Sequence, residues 1–127
     1  MKFREFTTTS KKQVLAGKSA ESNEELIKKV QDDEIVLHTR KPSSPFVNIK
    51  QESKKIIKAD IKEAAIFCAA KSQAWKKPKK KQDVQVDYFL GKDIFKLPDM
   101  KLGTFGVRKH KTIKVKKEEI EKFEKQK

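Results

Sequence analysis

The sequence predicts one α+β domain, a mostly antiparallel sheet with one principal helix packed on it and a shorter helix in the N-terminal half. Three observations predict it. Apolar and polar residues alternate with the period of a strand along several short runs, above all 35–40 and 83–90. One longer stretch, Ile61 to Trp75, spaces Ala64, Ala65, Phe67, Cys68 and Ala69 as the wide apolar face of a helix lying across a sheet. The chain has 127 residues, with no internal repeat and no interdomain linker, which favours a single core.

Phe3 to Thr9 reads as a strand, with Phe3, Phe6 and three threonines. Ser10-Lys11-Lys12 turns it into a second strand, Gln13 to Ala16, which Gly17 ends. Residues 17–30 lead into a helix. Ser22 followed by Glu25 has capping-box spacing, and Leu26, Ile27 and Val30 form its buried side. An acidic turn, Asp32-Asp33-Glu34, comes next. Residues 35–50 then read strand, Pro/Ser turn, strand, each strand with an apolar side for the core and a polar, basic side outward.

Residues 51–59 lead into the principal helix, where Asp60 and Glu63 repeat the capping-box spacing and Pro78 marks the end. Asp83 to Leu90 is a strand closed by Gly91, and residues 92–103 read as loop. Thr104–Lys109 and Thr112–Lys116 read as a hairpin joined through His110-Lys111. The domain is expected to span 1–117. Residues 118–127 form a charged helix or tail anchored only by Ile120 and Phe123.

The net charge is +14, which points to nucleic acid first and an anionic membrane surface second. The excess is uneven: 15 basic against 10 acidic residues up to Trp75, and 17 against 8 from Lys76 onward. The single cysteine, Cys68, permits no internal disulfide, and one Cys with two His cannot assemble a Cys/His zinc site. No metal and no cofactor is expected. No apolar run approaches the ~20 residues that span a bilayer, and Met1 to Lys12 lacks the apolar centre of a signal peptide. No membrane association and a cytoplasmic location are expected. Gly17-Lys18 before a helix lacks the spaced glycines of a nucleotide-hydrolysing loop. Lys18 beside a helix N-terminus can still meet a phosphate.

The expected contacts to nucleic acid fall into three groups. Lys76, Lys77, Lys79, Lys80 and Lys81 surround Pro78 with flexible point charges suited to a phosphate backbone. Arg108, Lys109, His110 and Lys111 would share one hairpin tip. Around the Pro/Ser turn, His38, Arg40, Lys41, Ser43, Ser44 and Lys50 offer cations and hydroxyls on a stiff loop. Trp75 reads as a core residue covering the helix end. His38 has no nucleophile or carboxylate at a recognisable spacing, so it reads as a binding residue and not a general base.

Arg4-x-Phe6 and Gly17-Lys18-Ser19-Ala20 with Asn23-Glu24 resemble the opening motif of the NFACT-R (NFACT RNA-binding) family. Asp33 to His38, then Pro42-Ser43-Ser44-Pro45-Phe46-Val47, resemble its second motif. The Ala64-Ala65 helix is similar to the family's Ala-rich helix. Val86-Asp87-Tyr88, Lys96, Leu102-Gly103 and Lys111-Thr112-Ile113 are similar to its C-terminal strands. Two departures stand out: Val36-Leu37 replace an aromatic pair before His38, and Pro45-Phe46 replace a second histidine in the turn. The resemblance implies a non-enzymatic, stand-alone domain for structured RNA, either tRNA or rRNA, in ribosome-associated quality control or tRNA metabolism. The partners it implies are RNA, including the large ribosomal subunit, and proteins of ribosomal or tRNA-modification complexes. The alternatives are a protein-interaction module docking on such a complex, or an RNA-processing enzyme using His38.

Overall fold

The computed structural model describes residues 3–40 and 44–126. Strands β1 (Arg4–Thr7) and β2 (Gln13–Ala16) form the first hairpin. Its turn puts Lys11 at φ 72°, a conformation that side chains other than Gly, Asn and Asp seldom adopt. Helix α1 (Ala20–Lys28) comes next, then strands β3 (Glu34–Thr39) and β4 (Val47–Glu52). Helix α2 (Lys58–Ala70) is the principal helix. The one-turn helix α3 (Gln73–Lys76) leads to β5 (Val84–Leu90). The chain ends with β6 (Ile94–Phe95), β7 (Gly106–Val107), β8 (Lys111–Val115) and helix α4 (Lys117–Lys125).

The fold is α+β, and the main sheet has six antiparallel strands in the order β1-β2-β4-β3-β5-β8. Because side chains alternate along each strand, the sheet offers two faces, and both are covered. On one face Val14, Ile35, Leu37, Val47, Ile49, Val86 and Val115 meet the alanines and Cys68 of α2 and Ile120 of α4. The small alanines bring the helix close to the strands, as their spacing predicts. On the other face Val36, Phe46 and Phe89 meet Leu26 of α1 and partly buried residues of β6 and β7. The polar, outward side expected for β3 and β4 is therefore corrected. Val36 and Asn48 are fully buried, and only His38 of that row in β3 is half-buried.

Other expectations change with the local chemistry. Helix α1 is capped by Ser19, not Ser22: the Ser19 hydroxyl oxygen accepts the Ser22 N–H at 3.2 Å, so Ser22 is the third helical residue. Asp60 and Glu63 do not cap each other. Buried Asp60 accepts the Ile57 N–H at 3.2 Å and the Ser10 hydroxyl at 2.6 Å, and Glu63 accepts the Thr9 N–H at 2.9 Å. The pair thus ties the first hairpin to α2. Helix α2 stops at Ala70, well before Pro78, because the Ser72 hydroxyl donates to the Ala69 carbonyl at 2.7 Å. Trp75 is core, 3 % exposed, with its indole N–H donating to Glu124 at 3.1 Å.

The largest correction concerns residues 92–116. β7 does not form a hairpin with β8. It pairs with β6 in a separate two-stranded sheet, while β8 joins β5 at the edge of the main sheet. Residues 108–110 thus connect two sheets and Lys111 opens β8, so the four do not form a hairpin tip. The C-terminal helix packs with Ile120 fully buried. Ile120→Ala is expected to lower stability by about 2–5 kcal/mol in chemical denaturation, as for other buried aliphatic truncations. A loss near zero would mean that α4 contributes nothing to the core.

Candidate nucleic-acid interface

Helix α1 lies between two loops and holds both. Toward the β3–β4 loop, the Asn23 side-chain oxygen accepts the Phe46 N–H at 3.0 Å, and its amide donates to the Ser44 carbonyl at 3.5 Å. The Gly17 N–H donates to the Phe46 carbonyl at 3.0 Å. A Cβ on Gly17 would lie 1.9 Å from the Asn23 side-chain oxygen, so the close approach requires glycine. Toward the β6–β7 loop, Glu24 accepts the Gly103 N–H at 2.7 Å and the Lys96 ammonium at 3.0 Å. Lys96 also donates to the carbonyls of Lys101 and Thr104, at 2.6 and 2.8 Å. The Gly103 N–H chiefly, with Lys96 adding to it, holds the Glu24 carboxyl below its usual range against the opposing effect of burial.

These loops and the start of α1 enclose a cleft of about 730 Å³. His38 and Phe46 stack on its wall with ring centres 4.2 Å apart and planes 24° apart. Phe105 meets Phe46 edge-on at 5.4 Å, and the Lys96 ammonium lies 4.5 Å from the Phe105 ring centre. Arg4, Lys18, Lys71, Lys76 and Lys101 line the cleft, and so does His110. Asp87 is the one acid among the lining residues. Its Oδ1 accepts the Thr112 hydroxyl at 2.7 Å and the Arg40 Nε–H at 3.3 Å, and lies 3.8 Å from His110 Nε2. Burial pushes the His38 pKa below 6.5; the backbone of Ser44 and Thr39 and the charge of Asp87 work against that shift without reversing it. At neutral pH the ring is therefore uncharged, with one donor and one acceptor nitrogen.

The structure brings together Lys18, His38, Ser44, Lys76 and His110 from the residues singled out in the sequence. Ser44 is buried, and its hydroxyl shares a short hydrogen bond with the Thr39 hydroxyl. Arg40 reaches the cleft only through Asp87. Lys50 sits elsewhere, paired with Glu34 at 3.0 Å. Lys77, Lys79 and Lys80 lie beyond Lys76 in the loop that precedes β5. Lys81 folds back, donating to the Trp75 carbonyl at 2.6 Å. The Arg108 guanidinium lies 5.4 Å from the Phe95 ring centre, and Lys109 and Lys111 are exposed. Lys41 and Ser43 lie outside the described residues. Among the described residues there is no group of three or more His, Cys, Asp or Glu side chains placed to hold a metal ion.

The family model of the NFACT protein RNA binding domain matches residues 2–109. The chain belongs to that family. Half of this NFACT RNA-binding domain, 64 residues, is 42% identical to an archaeal Rqc2 homolog, aRqcH, of Methanocaldococcus jannaschii. The match covers 10% of that protein, so the matched half of this chain spans about a tenth of the length of this relative. The structure of the C-terminal part of the fibronectin/fibrinogen-binding protein from Streptococcus suis superposes with a TM-score of 0.81 at 25% identity. That alignment covers 96% of this chain and 49% of the other.

Within this NFACT RNA-binding domain, Gly17 to Glu24 build the cleft, and His38 and Phe46 supply one wall. Sequence reasoning did not single out Arg4, Lys71, Asp87, Lys101 or Phe105 as site residues. The alternation of 83–90 puts Asp87 on the face opposite Val86, the side of the sheet that carries the cleft, so it had a signal. Lys71, Lys101 and Phe105 had none, because tertiary contacts alone bring them in. The stability that neutral His38 contributes is present above pH 6.5 and is lost as pH falls below it, because the folded state resists the protonation that the unfolded chain accepts. Chemical denaturation between pH 7.5 and 5 is expected to show this decline in the native protein and a flatter profile in His38→Gln. Parallel profiles would contradict it.

Proposed function

We propose that this domain binds structured RNA, tRNA or rRNA, through the face that carries the cleft, and that it does so without chemistry. The observation that supports this reading is the convergence of five Lys and Arg side chains, from β1, the α1 approach, the α2–α3 segment and the β6–β7 loop, around one aromatic-walled concavity. A duplex or folded RNA presents phosphates at a spacing that such a rim can meet at several points. Lys77, Lys79 and Lys80 extend the positive surface beyond Lys76, and Arg108, Lys109 and Lys111 extend it beyond His110. His38 is stacked and uncharged, which suits a shaped polar contact better than proton transfer at a reacting atom. The likeness of part of the chain to an Rqc2 homolog supports action at the ribosome or on tRNA engaged with it.

Fluorescence anisotropy with tRNA across a salt series tests the reading. Affinity is expected to fall steeply, with a log–log slope of roughly 0.7–0.9 per phosphate contact. Replacing Lys18, Lys76 and Lys101 together by Glu is expected to weaken binding at least about tenfold and to flatten that slope, with the thermal melting profile retained. Affinity indifferent to salt, or no binding to tRNA or rRNA fragments at low salt, would overturn the proposal.

A further inference from the structure

A cleft built only to hold phosphates has no use for a carboxylate in its lining. Asp87 occupies that place. It stands on β5 opposite His38 of β3 and opposite Thr112 of β8, in the middle of the sheet surface that the cleft exposes. Arg40, Thr112 and His110 all address its Oδ1. Its Oδ2 has no hydrogen-bond partner among the described residues. The side chain is thus tethered through one oxygen, with the other left as an acceptor. Phosphate would be repelled there and drawn to the surrounding lysines. An uncharged group that donates hydrogen bonds would be accepted.

The neighbouring surfaces specify that group further. The stacked His38–Phe46 pair and the edge-on Phe105 give the wall a flat, aromatic character suited to a planar ring. Neutral His38 adds a polar ring edge beside the carboxylate. The volume of about 730 Å³ lies in the range of sites that enclose a small molecule. A paired base hides both its ring faces and its pairing edge within the duplex. An unpaired one exposes them.

We infer that the cleft seats one unpaired nucleotide of the bound RNA. Its base lies against the aromatic wall, its exocyclic amino group donates to Asp87 Oδ2, and its flanking phosphates meet the lysine rim. Adenine, cytosine and guanine carry that amino group. Uracil presents an N3–H between two carbonyl oxygens, which the carboxylate repels, so it is disfavoured. The inference rests on the RNA-binding reading and adds to it a subsite with a base preference.

The test uses hairpin RNAs with one stem sequence, closed by a non-nucleotide linker so that no loop base is unpaired, either fully paired or carrying a single bulged A, C or U. Binding to the native protein is measured by anisotropy at fixed salt. The A and C bulges are expected to bind about tenfold or more tighter than the paired hairpin, the scale of one base–aromatic stack, with U between them. Asp87→Asn, whose carboxamide offers both a donor and an acceptor, is expected to bring A, C and U together while the salt slope stays unchanged. If that variant does not melt cooperatively, the preference of the native protein for A and C over U decides alone. Equal affinity for paired and bulged hairpins, with salt dependence intact, would overturn the nucleotide subsite and leave the RNA-binding reading standing. Failure of every hairpin to bind at low salt would overturn both.

Discussion

Two adjacent side chains on one short helix hold the walls of the candidate cleft together. Asn23 fastens the β3–β4 loop through Phe46, and Glu24 fastens the β6–β7 loop through Gly103. Among the described residues, neither loop has regular structure of its own to hold it, and the β6–β7 pair is only two residues long in each strand. Their backbone donors must therefore find partners elsewhere, and a buried N–H left unmet costs about 1–3 kcal/mol. Placing both acceptors on a helix that is itself packed on the sheet through Leu26 turns two irregular connections into walls. Two glycines make the approach feasible. Gly17 leaves room for Asn23, and Gly103, at φ +79°, lets the backbone turn against Ala20.

The charge distribution depends on the same geometry. With α2 and α4 on one face of the sheet and α1 with the small second sheet on the other, little of the main sheet is left uncovered. What remains is the end of the second face, where β3, β5 and β8 carry His38, Asp87 and Thr112 in one row. Arg4 and four lysines from separate segments surround that row. Asp87 offsets part of their mutual repulsion, and Arg40 and His110 share its carboxylate. The result separates two kinds of chemistry: dispersed positive charge at the rim, suited to long-range attraction of a polyanion, and fixed aromatic and polar groups inside, suited to recognition by shape.

Much of the sheet was legible in the sequence. β2 has the expected limits, and the alternation along β3, β4 and β5 assigned residues to faces correctly. Alternation does not say what covers a face, so Val36 and Asn48 read as outward when the structure buries them. The α2 boundary was misread because Ala74 and Trp75 continue an apolar period after Ser72 has bent the backbone away. β6 and β7 are too short to carry a period at all, so 92–103 read as loop and β7 was joined to its sequence neighbour β8. For the site, the Gly17–Glu24 and His38–Phe46 stretches stood out, since backbone-restricting and polar residues cluster there. The approach of His110 to Asp87 was beyond sequence reasoning. It depends on β8 lying beside β5, a contact set by strand order and not by spacing.

If α1 and the two loops it clamps form the RNA-contacting face, amide hydrogen exchange with and without saturating tRNA will show it most directly. RNA is expected to slow exchange at 17–20, 44–46 and 101–105, and to leave the opposite face around α4 unchanged. Protection confined to α4 or to the Lys77–Lys81 loop, with those three segments unaltered, would contradict that placement.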